Sequence, residues 1–208
     1  MKTFFLIISS VFIFTGCKQE EKKTDSYSSP VTNDTMMATV PVVSNFTAPD
    51  LSPMDMIYCP SDYPFKKMTG EAAELPYARI IYSRPQTQKR KIFGELVKYD
   101  QPWRMGANEA TELELFSAAT IQGKIIQPGR YIMFCIPSET SWTIILNSNI
   151  YSWGLSPDKK KNIMHFSVPV EKNNMITEYF TMAFQNSGSQ ATLAILWDDV
   201  KVYLPMMF

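Results

Sequence analysis

The stretch that decides the fold is YFTMAFQ, residues 179–185, which is followed after a short polar connection by TLAILW, residues 192–197. In the first segment Phe180, Met182 and Phe184 alternate with polar or small residues, and in the second a large apolar residue recurs at every other position. A period of two is typical of a strand that turns one face toward a core. The two segments therefore predict a pair of half-buried strands.

The same pattern extends through most of the chain. WTIILN, residues 142–147, alternates in the same way, whereas residues 131–136 are continuously apolar, as expected for a strand covered on both faces. Gln122-Gly123 predicts a two-residue hairpin turn, and the only helical signal is one short turn after Pro157-Asp158. The sequence thus predicts an all-β fold over residues 53–208, an antiparallel β-sandwich of jelly-roll or immunoglobulin-like type.

The first residues predict export. Residues 4–14 form an apolar run after Met1-Lys2 that is too short to span a bilayer, and small residues lead directly to Cys17. This order predicts a lipoprotein signal peptide over residues 1–16 and acylation of Cys17, which would anchor the chain to the outer membrane without a transmembrane helix. The alternative is an ordinary signal peptide with an incidental cysteine.

Residues 17–52 differ in composition from the rest of the chain. Polar residues and prolines dominate with no sustained period, so we expect a disordered tether between the lipid anchor and the domain. Glu20-Glu21 resembles an export tag of surface lipoproteins, although a solvated charged leader fits equally well. A short motif around Thr35 resembles an O-glycosylation site. These features leave both the periplasmic and the cell-surface face open.

Two further cysteines, Cys59 and Cys135, lie in the predicted domain. An exported chain meets an oxidising environment, and two cysteines allow a single pairing, so we expect a disulfide between them. Two separately buried thiols are the alternative, because the sequence does not supply the geometry of a bridge.

The densest polar segment lies between Tyr82 and Thr111. It contains RIIYSRP at residues 79–85 and GANEAT at residues 106–111, and Trp153-Gly154 follows later in the chain. This ordered set resembles domain-of-unknown-function family 2911, with the matching stretch running from about Leu75 to the C-terminus. The resemblance implies an exported, often lipid-anchored β-sandwich without an established activity. The family commonly has a hydroxyl-bearing residue where Cys135 stands, so a disulfide there would be a local departure.

Seven residues of this segment are candidate site residues, and two roles are open to them. Arginine forks can hold an anionic or sugar ligand, aromatic rings can stack on an apolar ring face, and amide or carboxylate groups can fix hydroxyls. The same groups can instead brace a long connection between sheets by satisfying its backbone. The candidates are Tyr82, Arg84, Arg90, Trp103, Arg104, Asn108 and Glu109.

Several kinds of chemistry find little support in the sequence. His165 is the only histidine and lies in a predicted strand, so a catalytic triad or a zinc site lacks its residues. We expect no metal and no cofactor, because phosphate loops and dinucleotide fingerprints are also absent from the sequence. Equal numbers of basic and acidic residues, 20 each, argue against a nucleic-acid partner.

Three functional hypotheses follow. The first is a lipid-anchored, non-enzymatic binding or accessory module of the envelope that contacts carbohydrate or another envelope protein. The second is a hydrolase acting on envelope or external glycans with Glu109 as acid or base. The third is a structural subunit of an outer-membrane assembly. An open concavity lined by the candidate residues would favour binding or catalysis, and mutual bonding of buried groups would favour bracing.

Overall fold

The structure is a computed structural model that describes residues 50–72, 74–185 and 189–208. The signal peptide over residues 1–16, the acylation of Cys17, the glycosylation of Thr35 and most of the tether lie outside these residues and stay predictions. Within the described ranges, no helix is long and apolar enough to cross a membrane.

The described chain is built almost entirely of antiparallel strands. In chain order they are β1 Met54–Cys59, β2 Ala78–Ser83, β3 Thr111–Leu115, β4 Ala119–Ile121, β5 Lys124–Ile126, β6 Gly129–Pro137, β7 Ser141–Asn147, β8 Asn162–Pro169, β9 Glu171–Gln185 and β10 Gln190–Met207. One sheet has the order β1-β2-β3-β6-β7-β8 and the other the order β5-β4-β10-β9. The all-β prediction is therefore confirmed, and the two sheets form a β-sandwich.

The core lies between the two sheets and follows the alternation in the sequence. Phe180, Met182 and Phe184 of β9 are buried. Ile195 and Leu193, the β10 partners of Met182 and Phe184, are buried as well. In β6, residues 132–135 are all buried, as the unbroken apolar run predicts. Burial of these core-facing side chains stabilises the fold by roughly 25 cal/mol for each Å² of apolar surface removed from water.

The local turns also follow from the sequence. The β4–β5 hairpin turns through Gln122 and Gly123, both with positive φ, as a two-residue turn of the expected kind requires. A short 3-10 helix at Lys159–Lys161 begins after Asp158, whose carboxylate accepts the Lys160 N–H.

One helix was not predicted. α1 spans Tyr63–Thr69, with Pro64 in its first turn and Gly70 in the left-handed conformation at its end. Those two residues were the available signals, but seven residues are too few to show a helical period.

The predicted disulfide is wrong. Cys59 in β1 and Cys135 in β6 are both free and buried. Strands β2 and β3 lie between them in the sheet, which separates the two cysteines by at least ~14 Å at the usual strand spacing. Burial raises the pKa of Cys59 to about 11 and that of Cys135 well above its usual value. Both side chains therefore serve as small apolar core residues.

Candidate functional site

The candidate residues lie mostly on the long connection from β2 to β3, residues 84–110, which contacts β9 of one sheet and β6 of the other. This connection has no regular ladder of its own and is fixed at isolated points. Trp103 and Cys135 exchange two backbone hydrogen bonds of 2.8 and 2.9 Å. The Thr111 hydroxyl donates to the Met105 carbonyl at 2.7 Å in the buried interior. These contacts satisfy the connection where it meets the sheets.

Two candidates brace the sandwich. Tyr82 is buried, and its hydroxyl accepts the Met182 N–H at 2.9 Å and lies 3.2 Å from both the Met182 carbonyl and the Asp55 carboxylate. Burial raises the pKa of Tyr82 to about 12. Arg84 donates to the Phe180 carbonyl and pairs with Asp55 at 3.3 Å. Together they occupy the outer backbone edge of β9, which is an edge strand of its sheet.

The same edge is held further along by Glu178. Its carboxylate accepts hydrogen bonds from the Thr87 hydroxyl and from the Gln88 N–H. Both hydrogen bonds lower the pKa of Glu178, and the bond from Thr87 has the larger effect. The turn that carries Arg90 is thereby attached to β9.

An aromatic cluster supports the centre of the connection. Trp103 stacks on Trp197 with ring centroids 5.6 Å apart and an interplanar angle of 19°. The edges of Phe93, Trp142 and Phe180 surround Trp103 at centroid distances of 5.1–6.0 Å. Such pairs prefer offset or edge-on contacts and each adds about 0.5–1.5 kcal/mol beyond burial. Trp103 is therefore held rigidly, yet it remains only half-buried.

Next to this cluster lies an open cleft of about 340 Å³. Trp103, Arg90 and Arg104 line it, so three of the seven predicted residues converge on one concavity. Its remaining lining is apolar or small, and none of the described lining residues is acidic. The other lining residues are Ser52, Pro85, Leu96, Val97, Pro102, Gly106, Ala107, Gly154, Leu155 and Trp197.

The two arginines of the cleft are held differently. Arg90 donates to the carbonyls of Thr87 and Gln86 at 2.9 and 2.7 Å, which fixes its fork and leaves one terminal nitrogen without a protein partner among the described residues. Arg104 is half-buried, and its guanidinium makes neither a hydrogen bond nor an ion pair within the described ranges. The other three arginines of the chain, by contrast, all pair with carboxylates.

The backbone beside Arg104 adds further donors. Gly106 comes so close to β2 that an added Cβ would lie 3.0 Å from the Ser83 carbonyl oxygen, which explains why glycine is needed there. The N–H groups of Gly106 and Ala107, both in the cleft lining, have no acceptor among the residues that the structure describes. A guanidinium beside free backbone N–H groups is a suitable environment for an anion.

The last two candidates lie outside the cleft lining. Asn108 donates to the Asp50 carboxylate at 2.8 Å and to the Ser52 carbonyl at 3.3 Å. It therefore fixes the segment that leads into β1. Glu109 is exposed and has no ion-pair partner in the described part of the chain. Acid–base hydrolysis of a glycosidic bond needs two facing carboxylates, and this cleft brings none together among its described lining.

Sequence reasoning missed part of the cleft. Leu96 and Leu155 help to complete its lining, and no periodicity marks them. Gly154, which the sequence analysis quoted with Trp153 but gave no role, lies in the lining as well. Gly154 has a φ of +86°, and an added Cβ would lie 3.0 Å from the Cβ atoms of Arg104 and Ala110. The glycine therefore lets the loop after β7 lie directly on the connection that carries Arg104.

The fold and the cleft together define a β-sandwich domain with a cationic cleft at one end. The chain belongs to the family described as "Protein of unknown function (DUF2911)", whose model matches residues 64–206. Comparison with curated proteins and with solved structures gives no match. Within the described residues, no group of three or more histidine, cysteine or acidic side chains is placed to hold a metal ion.

Proposed function

We propose that this protein is a lipid-anchored lipoprotein of the outer membrane whose domain is a non-enzymatic binding module for an anionic, hydroxyl-bearing ligand such as an acidic carbohydrate. The observation that carries the binding role is the cleft. Arg104 lines it with a guanidinium that has no partner among the described residues, Arg90 lines the same space, and the described lining contains no carboxylate. A charge-assisted hydrogen bond to such a fork is worth about 1.5–3 kcal/mol. The half-buried ring of Trp103 supplies a rigid apolar wall for a sugar face.

The contacts of the candidate residues support different roles for different members of the set. Tyr82, Arg84 and Asn108 are bonded to other parts of the protein, which favours bracing for these three. Arg90, Trp103 and Arg104 line open space, which favours binding. The hydrolase alternative gains nothing from the cleft, because Glu109 lies outside its described lining.

Titration with oligosaccharides tests the binding role, with tryptophan fluorescence as the signal because Trp103 and Trp197 line the cleft. We expect oligogalacturonate to bind and a neutral galacto-oligosaccharide of the same length to bind at least tenfold more weakly. Arg104→Gln should weaken the acidic ligand about tenfold to a hundredfold. Lys67→Gln removes the same charge from exposed α1 at the opposite end of β1 and serves as the matched control. Equal affinity for both sugars, or no effect of Arg104→Gln, would refute the proposal.

The membrane anchor needs a separate test. Mass spectrometry of the protein from native membranes should find an N-terminus at Cys17 carrying acyl chains. Recovery of a stoichiometric partner from detergent-solubilised membranes would favour the role as a subunit of an outer-membrane assembly. An unacylated N-terminus would refute both the lipid-anchored location at the outer membrane and the proposal that the protein meets its partners there.

A further inference from the structure

Two exposed leucines line the cleft, and two more exposed apolar residues adjoin its lining residues along the chain. We call Leu51, Leu96, Trp153 and Leu155 the apolar rim; between 48% and 68% of each is exposed. Leu96 and Leu155 line the cleft itself, Leu51 precedes the lining residue Ser52, and Trp153 precedes the lining residue Gly154. Grouped exposed apolar residues of this kind are uncommon on soluble domains and mark a contact surface.

A basic segment runs beside the rim. Residues 88–98, which include the lining residues Arg90 and Leu96, contain four basic residues and one acidic residue. Glu95 is the acidic one, and it pairs with Lys91 at 3.7 Å on the exposed surface.

Two exposed carboxylates, Asp50 next to Leu51 and Glu109 next to Asn108, lie near the rim as well, and Arg104 adds one cation. Together with the basic segment, these residues comprise five basic and three acidic side chains. The rim therefore combines apolar side chains with a net positive charge, which complements the anionic headgroups and apolar interior of a bilayer.

The described chain also begins at this rim. Asp50 and Ser52 are held there by Asn108, and β1 then leads away from the cleft. The proposed acylation site, Cys17, precedes Asp50 by 33 residues. A chain of that many residues can span at most about 110 Å, so an anchored protein can bring the end of the domain that carries the rim to its own membrane.

We propose that the apolar rim docks on the surface of an anionic bilayer, so that the acidic group bound in the cleft is the headgroup of a membrane lipid. This inference rests on the proposed binding function and names where its ligand is found. Leucine and tryptophan side chains beside cations are typical of surfaces that lie in the membrane interface. Aliphatic leucines, in contrast, offer no flat face on which a soluble sugar could stack.

Vesicle binding tests the docking surface. The chain from residue 17 onward with Cys17→Ser lacks the lipid anchor, and it retains the whole core cluster, whose members lie between Cys59 and Met206. It should co-sediment with vesicles of phosphatidylcholine and phosphatidylglycerol, and much less with phosphatidylcholine alone. The double change Leu96→Ser and Leu155→Ser should weaken the binding at least about tenfold, because two half-exposed leucines lose their burial in the interface.

A matched control lies at the opposite end of the domain. Leu75 is 57% exposed, close to the 68% of Leu155, but it lies on the segment after α1. Leu75→Ser should leave vesicle binding unchanged. The docking surface is refuted if Leu75→Ser weakens vesicle binding as much as the rim variant does. It is also refuted if the unaltered domain does not bind anionic vesicles.

Free oligogalacturonate separates the two proposals. Binding of this sugar that depends on Arg104, without binding to anionic vesicles, would overturn the docking inference and leave the cleft's function standing. Vesicle binding that depends on the rim leucines but is unaffected by Arg104→Gln, together with no binding of the sugar, would support docking and refute the cleft as the headgroup site.

Discussion

Replacing Tyr82 with phenylalanine removes one oxygen atom from the interior and tests whether this residue braces the sandwich. The hydroxyl accepts the Met182 N–H at 2.9 Å, and on that side β9 pairs with no strand of its own sheet, only with Gln86 through an isolated bridge at Tyr179. In Tyr82→Phe the ring keeps its place against Phe180, but the Met182 N–H is left without its acceptor.

The size of the effect follows from these contacts. A buried donor that loses its partner costs about 1–3 kcal/mol, because water does not replace the lost acceptor. The ring adds almost nothing, since its apolar surface stays buried. For a domain of this size a loss of 1 kcal/mol lowers Tm by about 2–4 °C, so we expect a fall of about 2–12 °C.

Urea unfolding followed by tryptophan fluorescence measures this loss as a lower midpoint with an unchanged slope. Tyr151→Phe is the control, because Tyr151 is 92% exposed and should tolerate the change. The oligogalacturonate affinity of folded Tyr82→Phe should equal that of the unaltered protein. Unchanged stability combined with lost affinity would refute the bracing role and place the Tyr82 hydroxyl in the binding site.

Three further predictions concern backbone strain, pH and the thiols. Gly154→Ala should destabilise the fold by about 1–3 kcal/mol in urea unfolding and weaken sugar binding, whereas Gly123→Ala, also at positive φ but with open space around it, should cost stability alone. Hydrogen bonds lower the folded pKa of Glu178 below its ordinary 4.5, so this carboxylate stabilises the fold above that pH, and its contribution is lost as the pH falls through the folded pKa. On acidification, Glu178→Gln should therefore lose less unfolding free energy than the unaltered protein. Equal losses in the two proteins would contradict this role of Glu178. Cys59 and Cys135 should react with a thiol reagent only after unfolding, and a reducing agent that lowers Tm would show that they are bonded after all.

The strands could be predicted from the sequence because their signal is local. Side chains at every second position of a strand lie on the same face, so the spacing of Phe180, Met182 and Phe184 predicts that all three face the core together. The hairpin at Gln122-Gly123 was equally local, since two residues determine that turn. Helix α1 escaped prediction because its seven residues show no period.

The absence of a bond between Cys59 and Cys135 could not be predicted from local sequence. Exported location made a bridge between Cys59 and Cys135 reasonable, yet strand order places two strands between them. Strand order depends on how all ten strands associate, and neither cysteine carries that information in its own neighbourhood.

The cleft was predictable only in part, for the same reason. Residue type and crowding marked Arg90, Trp103 and Arg104 as candidates, but the same features marked Tyr82 and Arg84, which the fold uses as braces. The difference lies in what each side chain meets from distant parts of the chain. The backbone of β9, about a hundred residues away in sequence, occupies the polar groups of the braces. No such partner reaches Arg104 within the described residues, and Leu155 and Trp197 complete its cleft from other strands and loops. Local sequence therefore determines which side chains are present and which strands form. Tertiary packing decides which polar side chains are hydrogen-bonded within the protein and which remain open to a ligand. The reason is that their partners come from segments far apart along the chain.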